Sequence, residues 1–240
     1  MAWILNIETA TPVCSVSLAR DGELIEIRES REDKSHARLL TRFVREVLDA
    51  QNLEASGLDA VAVSKGPGSY TGLRIGVSTA KGIAYGAGIH LIGINSLQAL
   101  SQGVMLELAG VLTKDQSEEC LFCPMIDARR MEVYMALYTP SNQEVKKTSA
   151  VILRHDTLEA YLDKNIILVF GNGAAKCMEV IDHPRIKFLE GKESSSKNMI
   201  GLSERAFREK DFEDVAYFEP FYLKDFIATI PKNKVIRKNN

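Results

Sequence analysis

The period of the apolar positions changes several times along the chain. Residues 3–7 are a short apolar run ending at Glu8-Thr9, the pattern of a buried strand with polar groups at its C-terminal edge. Residues 13–18 and 24–28 read as two further strands joined through Asp21-Gly22. That dipeptide favours a tight antiparallel hairpin because both residues tolerate positive φ. The pattern then turns helical. Leu39, Leu40, Phe43, Val44, Val47 and Leu48 recur at three- and four-residue spacing, with Arg38, Arg42, Arg45 and Glu46 on the wet side. This predicts an amphipathic helix from a Ser35 N-cap to about residue 51. A strand over 58–64, a helix over 71–86, a strand over 91–94 and a helix over 96–108 capped by Ser96 follow.

Three strands, helix, strand, helix, strand, helix is an order that resembles one ribonuclease-H-like lobe. The polar residues 113–119 mark a boundary, giving expected lobes of 1–110 and 111–240. Strands over 121–126, 131–138, 151–153 and 166–170, a short helix from Asp156-Thr157 and a helix over 198–210 repeat the first half in a looser form. The expected class is therefore α/β with two lobes, the second reduced, and with a terminal segment that is free to return to the first lobe.

Composition narrows the function classes. The 240 residues carry 30 basic and 32 acidic side chains, a formal net charge of -2. Broad binding to nucleic acid needs a surplus of Lys and Arg, so it is disfavoured as a stand-alone role. The N-terminus lacks a signal-peptide pattern, and no apolar run approaches the ~20 residues of a membrane span. Four cysteines, at 14, 120, 123 and 177, are not a disulfide framework, and a reducing cytoplasm fits them best. Cys120 and Cys123 form a C-x-x-C, but in a strand they face opposite sides, and zinc would need a second pair. The basic stretch 232–238 reads as a solvated tail.

The densest motif is Lys65-Gly66-Pro67-Gly68-Ser69-Tyr70-Thr71-Gly72. Two readings stand: a tight strand-to-helix turn, or backbone N–H groups at a helix start holding an anion. In the helix that follows, Gly72, Gly76, Ala80 and Ala84 recur every fourth residue. An interior Gly costs about 1 kcal/mol against Ala. Close approach of another helix, from this chain or from a partner, is the simplest compensation.

The segments ILNIETATPVCSVSL, SKGPGSYTGLRIGVSTAKGIAYG and PMIDARRMEVYMALY together resemble the TsaB family, the dimerisation subunits of bacterial tRNA threonylcarbamoyladenosine synthesis. The glycine loop followed by Asp127-Ala128-Arg129-Arg130 is quite specific. The resemblance implies the actin, sugar-kinase and heat-shock ATPase superfold and a non-catalytic subunit. The implied partners are a catalytic threonylcarbamoyltransferase paralogue (TsaD-like), a small ATPase (TsaE-like), a second copy of the chain when alone, and tRNA only through the complex. The first two helices are implied to form a four-helix bundle with their counterparts in the partner. On the first, His36, Leu39, Leu40, Phe43 and Val47 are the candidate interface residues. On the second they are Leu73, Gly76, Val77, Ala80 and Ala84. Active members of the superfold grip nucleotide between lobes, and Glu8, Thr9, Asp127, Arg129, Gly171 and Gly173 stand at those places. Glu8 and Asp127 have the chemistry to hold Mg²⁺ through water, but the resemblance favours relics, with Asp127 paired to Arg129 or Arg130. No cofactor is expected, with ATP or ADP and Mg²⁺ only at the complex interface. The catalytic paralogue holds metal with a His-x-x-x-His pair; here His36 is followed by Leu40, so no metal is expected. The alternative is an independent ATP-dependent phosphotransferase. A peptidase lacks a Ser-His-Asp or metal motif.

Overall fold

Two five-stranded sheets of identical topology form the framework of the fold. The computed structural model describes residues 1–32, 35–111 and 119–224. The first sheet contains β1 (Trp3–Glu8), β2 (Cys14–Arg20), β3 (Glu23–Ser30), β4 (Ala60–Gly66) and β5 (His90–Asn95) in the order β3-β2-β1-β4-β5. The second contains β6 (Cys120–Asp127), β7 (Glu132–Tyr138), β8 (Glu144–Ile152), β9 (Ile166–Phe170) and β10 (Ile186–Leu189) in the order β8-β7-β6-β9-β10. Each sheet has an antiparallel three-strand meander followed by two parallel strands. That is the ribonuclease-H-like pattern, present twice.

Among the described residues the α-helices are α1 (His36–Asp49), α2 (Tyr70–Ala87), α3 (Ser96–Leu108), α4 (Glu159–Leu162), α5 (Ala174–Met178) and α6 (Ile200–Glu209). The expectation of a reduced second lobe needs restating. Its sheet has five strands like the first, and the reduction lies in α4 and α5, of 4 and 5 residues, against 14 and 18 in α1 and α2. β8 begins well before the apolar residues that announced it, because it is an edge strand with polar Lys146, Lys147 and Thr148 on a half-solvated surface. β10 is four residues long and carried no period at all.

The caps also differ from expectation. Asn95, not Ser96, caps α3: its Oδ1 accepts the N–H groups of Leu97 and Gln98 at 2.9 and 3.1 Å. Ser35 makes no side-chain cap to α1; its carbonyl receives the Arg38 and Leu39 amides instead.

Packing interlocks the two halves. One face of the first sheet is covered by α1 and α2, with Leu40, Phe43, Val47, Val77 and Ala80 against Leu5, Ile7 and Val63. Its other face is covered by α6, where Leu202 and Ala206 meet Ile4, Ala62 and Ile92. α3 follows the first sheet in sequence yet packs Leu97, Leu100 and Val104 on Phe122, Tyr138 and Phe170 of the second. The segment after α6 returns to the first sheet through the Leu91–Glu213 bridge and through Phe218, which is buried in the core under α2. The anticipated boundary at 110/111 adjoins residues 112–118, which lie outside the described residues, as does the basic stretch 232–238.

Candidate functional site

The sheet geometry brings the β1–β2 turn, the glycine loop and the start of α1 together. β4 runs parallel to β1, so its C-terminal loop ends beside Glu8-Thr9. A Cβ on Gly68 would lie 2.3 Å from the Ala10 carbonyl oxygen, on Gly72 2.1 Å from the Thr9 carbonyl oxygen, and on Gly76 2.2 Å from Thr9 Oγ1. Only hydrogen fits at these three places. The Ser69 amide donates to the Ala10 carbonyl at 2.7 Å, and the Gly72 amide donates to Ser69 Oγ at 3.3 Å. Both amides are thus already engaged, which favours the turn over the anion cradle.

The same distances correct the reading of the small-residue row. Gly72 and Gly76 admit Thr9 of the same chain, not a second helix, and Ala80 and Ala84 are buried in the chain's own core. Leu39, Leu40, Phe43, Val47, Leu73 and Val77 are likewise buried within this lobe. They hold α1 and α2 on their sheet and have no surface left to offer. His36 is buried too, with Nε2 3.0 Å from the Thr11 carbonyl oxygen.

What the two helices leave outside is different. On α1, Ala37, Arg38, Thr41, Arg42 and Arg45 are exposed. On α2 the exposed line is Arg74, Ser78, Gly82, Tyr85 and Gly86, with Tyr85 84% exposed and nothing within 4 Å of a Cβ placed on Gly82 or Gly86. α2 is fixed from one flank by the returning segment. Lys81 Nζ donates to the carbonyls of Ala216 and Phe218 at 3.2 and 2.9 Å, the Phe221 amide donates to the Lys65 carbonyl at 2.6 Å, and Tyr222 lies 4.9 Å from Tyr70 between ring centroids.

The nucleotide-cleft positions are occupied by internal contacts. Glu8 has no exposed surface; one carboxyl oxygen accepts the Ala10 amide at 2.6 Å, the other has no partner, and burial raises its pKa to about 7. Asp127 Oδ1 pairs with Lys176 Nζ at 2.7 Å and accepts the Arg129 amide at 2.6 Å, so the expected side-chain pair with Arg129 or Arg130 is replaced by Lys176. Arg129 and Arg130 instead take left-handed φ of 67° and 48° in the β6–β7 turn. Gly171, at φ 97°, packs on the Met125 carbonyl. The Gly173 amide donates to that same carbonyl at 3.0 Å, and the Ala174 amide donates to Gly171 at 3.0 Å, so neither is open to a phosphate. Among the described residues no three His, Cys, Asp or Glu gather as a metal site.

The model of the family TsaD: tRNA N6-adenosine threonylcarbamoyltransferase matches residues 30–232. The chain belongs to this family. Within it, the chain is related to TsaB. It is 27% identical over 233 residues to the tRNA threonylcarbamoyladenosine biosynthesis protein TsaB of Escherichia coli K12, covering 94% of this chain and 96% of that one. It is 28% identical over 235 residues to TsaB of Bacillus subtilis 168, covering 92% and 93%. The fold is that of YeaZ from Pseudomonas aeruginosa, with TM-score 0.78, 24% identity and coverage of 93% and 100%.

Seen as a TsaD-family chain, the residues missed in the sequence are those that tie the turn and the return segment. Ser64 receives the Thr9 amide at 3.2 Å, Lys176 holds Asp127, and Lys81 and Phe218 hold α2. None of them carried a signal of its own: Phe218 is one of several aromatic residues between Phe212 and Tyr222, and the sequence does not say which of them turns inward. The four cysteines are free and buried, with Cys120 and Cys123 in separate cores as their spacing in a strand requires. No helix among the described residues is long and apolar enough to cross a membrane.

Proposed function

We propose that the chain is a non-catalytic subunit of the tRNA threonylcarbamoyladenosine machinery. It binds and stabilises the catalytic TsaD-type threonylcarbamoyltransferase through the outer faces of α1 and α2, and pairs with itself through the same faces when alone. The observation that supports this reading is the contrast between the cleft and the helices. Glu8 is enclosed, Asp127 is paired with Lys176, and the Gly171–Gly173 turn is packed on the Met125 carbonyl, whereas α2 presents Ser78, Gly82 and Gly86 four apart beside the 84% exposed Tyr85. Small residues let a helix backbone come close, and an exposed Tyr supplies contact area at low entropic cost. A TsaE-type ATPase joins the pair, and tRNA meets the chain only within that assembly, in a cytoplasmic setting.

Mixing the chain with a purified TsaD-type subunit tests the reading. A stable heterodimer on size exclusion is expected, and Gly82→Arg should weaken it at least tenfold, because a buried unpaired charge in a close helix contact costs several kcal/mol. Gly82 is open to solvent in the isolated chain, so the variant should fold. A folded Gly82→Arg and a folded Tyr85→Ala that both pair normally would refute this surface.

A further inference from the structure

The β1–β2 turn is held from three sides at once, and its own carboxyl is left incompletely satisfied. Glu8 is fully enclosed, with one oxygen on the Ala10 amide at 2.6 Å and the other without a partner. Thr9 and Ala10 lie under the glycine loop and α2, through the Gly68, Gly72 and Gly76 approaches and the 2.7 Å bond from the Ser69 amide. Thr11 is tied to α1 by His36. The first turns of α1 and α2 therefore close on the two or three residues that follow Glu8.

We propose that this turn is a proton-linked latch, shut while Glu8 keeps its proton and loosened at the first turns of α1 and α2 when the carboxyl ionises. A neutral carboxyl tolerates an unpartnered oxygen in an enclosed site far better than a carboxylate does. No charge faces it to compensate. From β2, Cys14 is a thiol pushed up to about 11 by burial and then by Glu8, and so stays neutral. On β3, Glu29 is engaged by Ser15 and Ser195. After β4, Lys65 turns to Glu213 at 3.2 Å. On α2, Arg74 lies outside, 5.5 Å from the Tyr70 ring. On α1, the His36 ring is spent on Thr11. Lys197, on the 3-10 turn Ser196–Met199 beside Ser15, is exposed. The Ala10 and Thr9 amides and the Ser64 hydroxyl favour the carboxylate but do not outweigh its burial, so an ionised Glu8 gains most by letting water in, which means lifting residues 9–11 from the glycine loop.

The latch is a property of this chain alone and is read without a partner, so its failure would leave the subunit reading standing. Amide hydrogen exchange, corrected for intrinsic rate, is followed at Ala10, Ser69 and Gly72. With Glu8 at about 7 in the shut state and 4.5 when solvated, the open fraction should rise about 40-fold between pH 5 and pH 7 and then level off. Glu8→Gln, uncharged at every pH, should flatten that rise. Carbon-13 NMR of labelled glutamate side chains reads the wild-type carboxyl directly, whether or not the variant folds. One carboxyl titrating near 7 together with the pH-dependent exchange supports the latch. Glu8 titrating near 4.5, unchanged protection between pH 5 and 7, or an equal rise in Glu8→Gln overturns it.

Discussion

Gly76 shows how much one hydrogen atom decides. A Cβ there would meet Thr9 Oγ1 at 2.2 Å and Thr9 Cβ at 3.3 Å. Gly76→Ala gains about 1 kcal/mol of helix propensity but forces Thr9 or α2 aside, an overpacking cost of about 1–3 kcal/mol. The net expected change is a loss of stability in urea, with Thr9→Ala restoring most of it in the double variant. Additive effects would mean that the two residues do not touch. Glu8 sets the pH dependence. Its pKa is raised in the folded state, to about 7 from 4.5, so the folded chain binds the extra proton. Its contribution is therefore present in full below pH 4.5 and is lost as pH rises to 7, by about 3 kcal/mol. Urea midpoints measured from pH 4.5 to 8 check this, and Glu8→Gln should remove the slope that belongs to Glu8.

At the scale of elements, α2 depends on a segment far away in sequence. Phe218 sits in the core below it, and Lys81 accepts its orientation from the carbonyls of Ala216 and Phe218. Phe218→Ala should destabilise by about 3–5 kcal/mol, as truncation of a buried Phe does. It should also raise hydrogen exchange along α2 before the second sheet responds. Uniform loosening of both sheets would show that the return segment is not specific to α2. The helices themselves were legible because their stripes are wide and regular: Leu39, Leu40, Phe43, Val47 and Leu48 all turn inward. β8 and β10 were less so, since an edge strand half in water and a strand of four residues carry little period.

On the scale of the whole molecule, the lobes are interlocked. α3 is given to the second sheet and α6 to the first, so neither half buries its sheet without the other. A single cooperative unfolding transition is expected, and two separate transitions by calorimetry would contradict it. The same closure bears on activity. With Asp127 on Lys176 and the Gly173 amide on Met125, the chain alone should turn over ATP more slowly than about one per second, with no change on Asp127→Asn. Faster turnover that Asp127→Asn abolishes would favour the phosphotransferase reading.

The sequence alone determined the elements and their order, because hydrophobic period and turn residues act over a few neighbours. Asp21-Gly22, the stripe on α1 and the glycine loop each state a local geometry that the folded chain keeps. It also carried the family, in three segments whose order is specific. Direction in space was decided only by the tertiary structure. A row of Gly72, Gly76, Ala80 and Ala84 says that something comes close, not whether it is a partner helix or Thr9 of the same chain. Likewise an acidic residue at a strand end does not say whether it meets solvent, as Asp127 does, or is enclosed without a countercharge, as Glu8 is. Both questions turn on contacts between residues distant in the chain, and no local pattern encodes them.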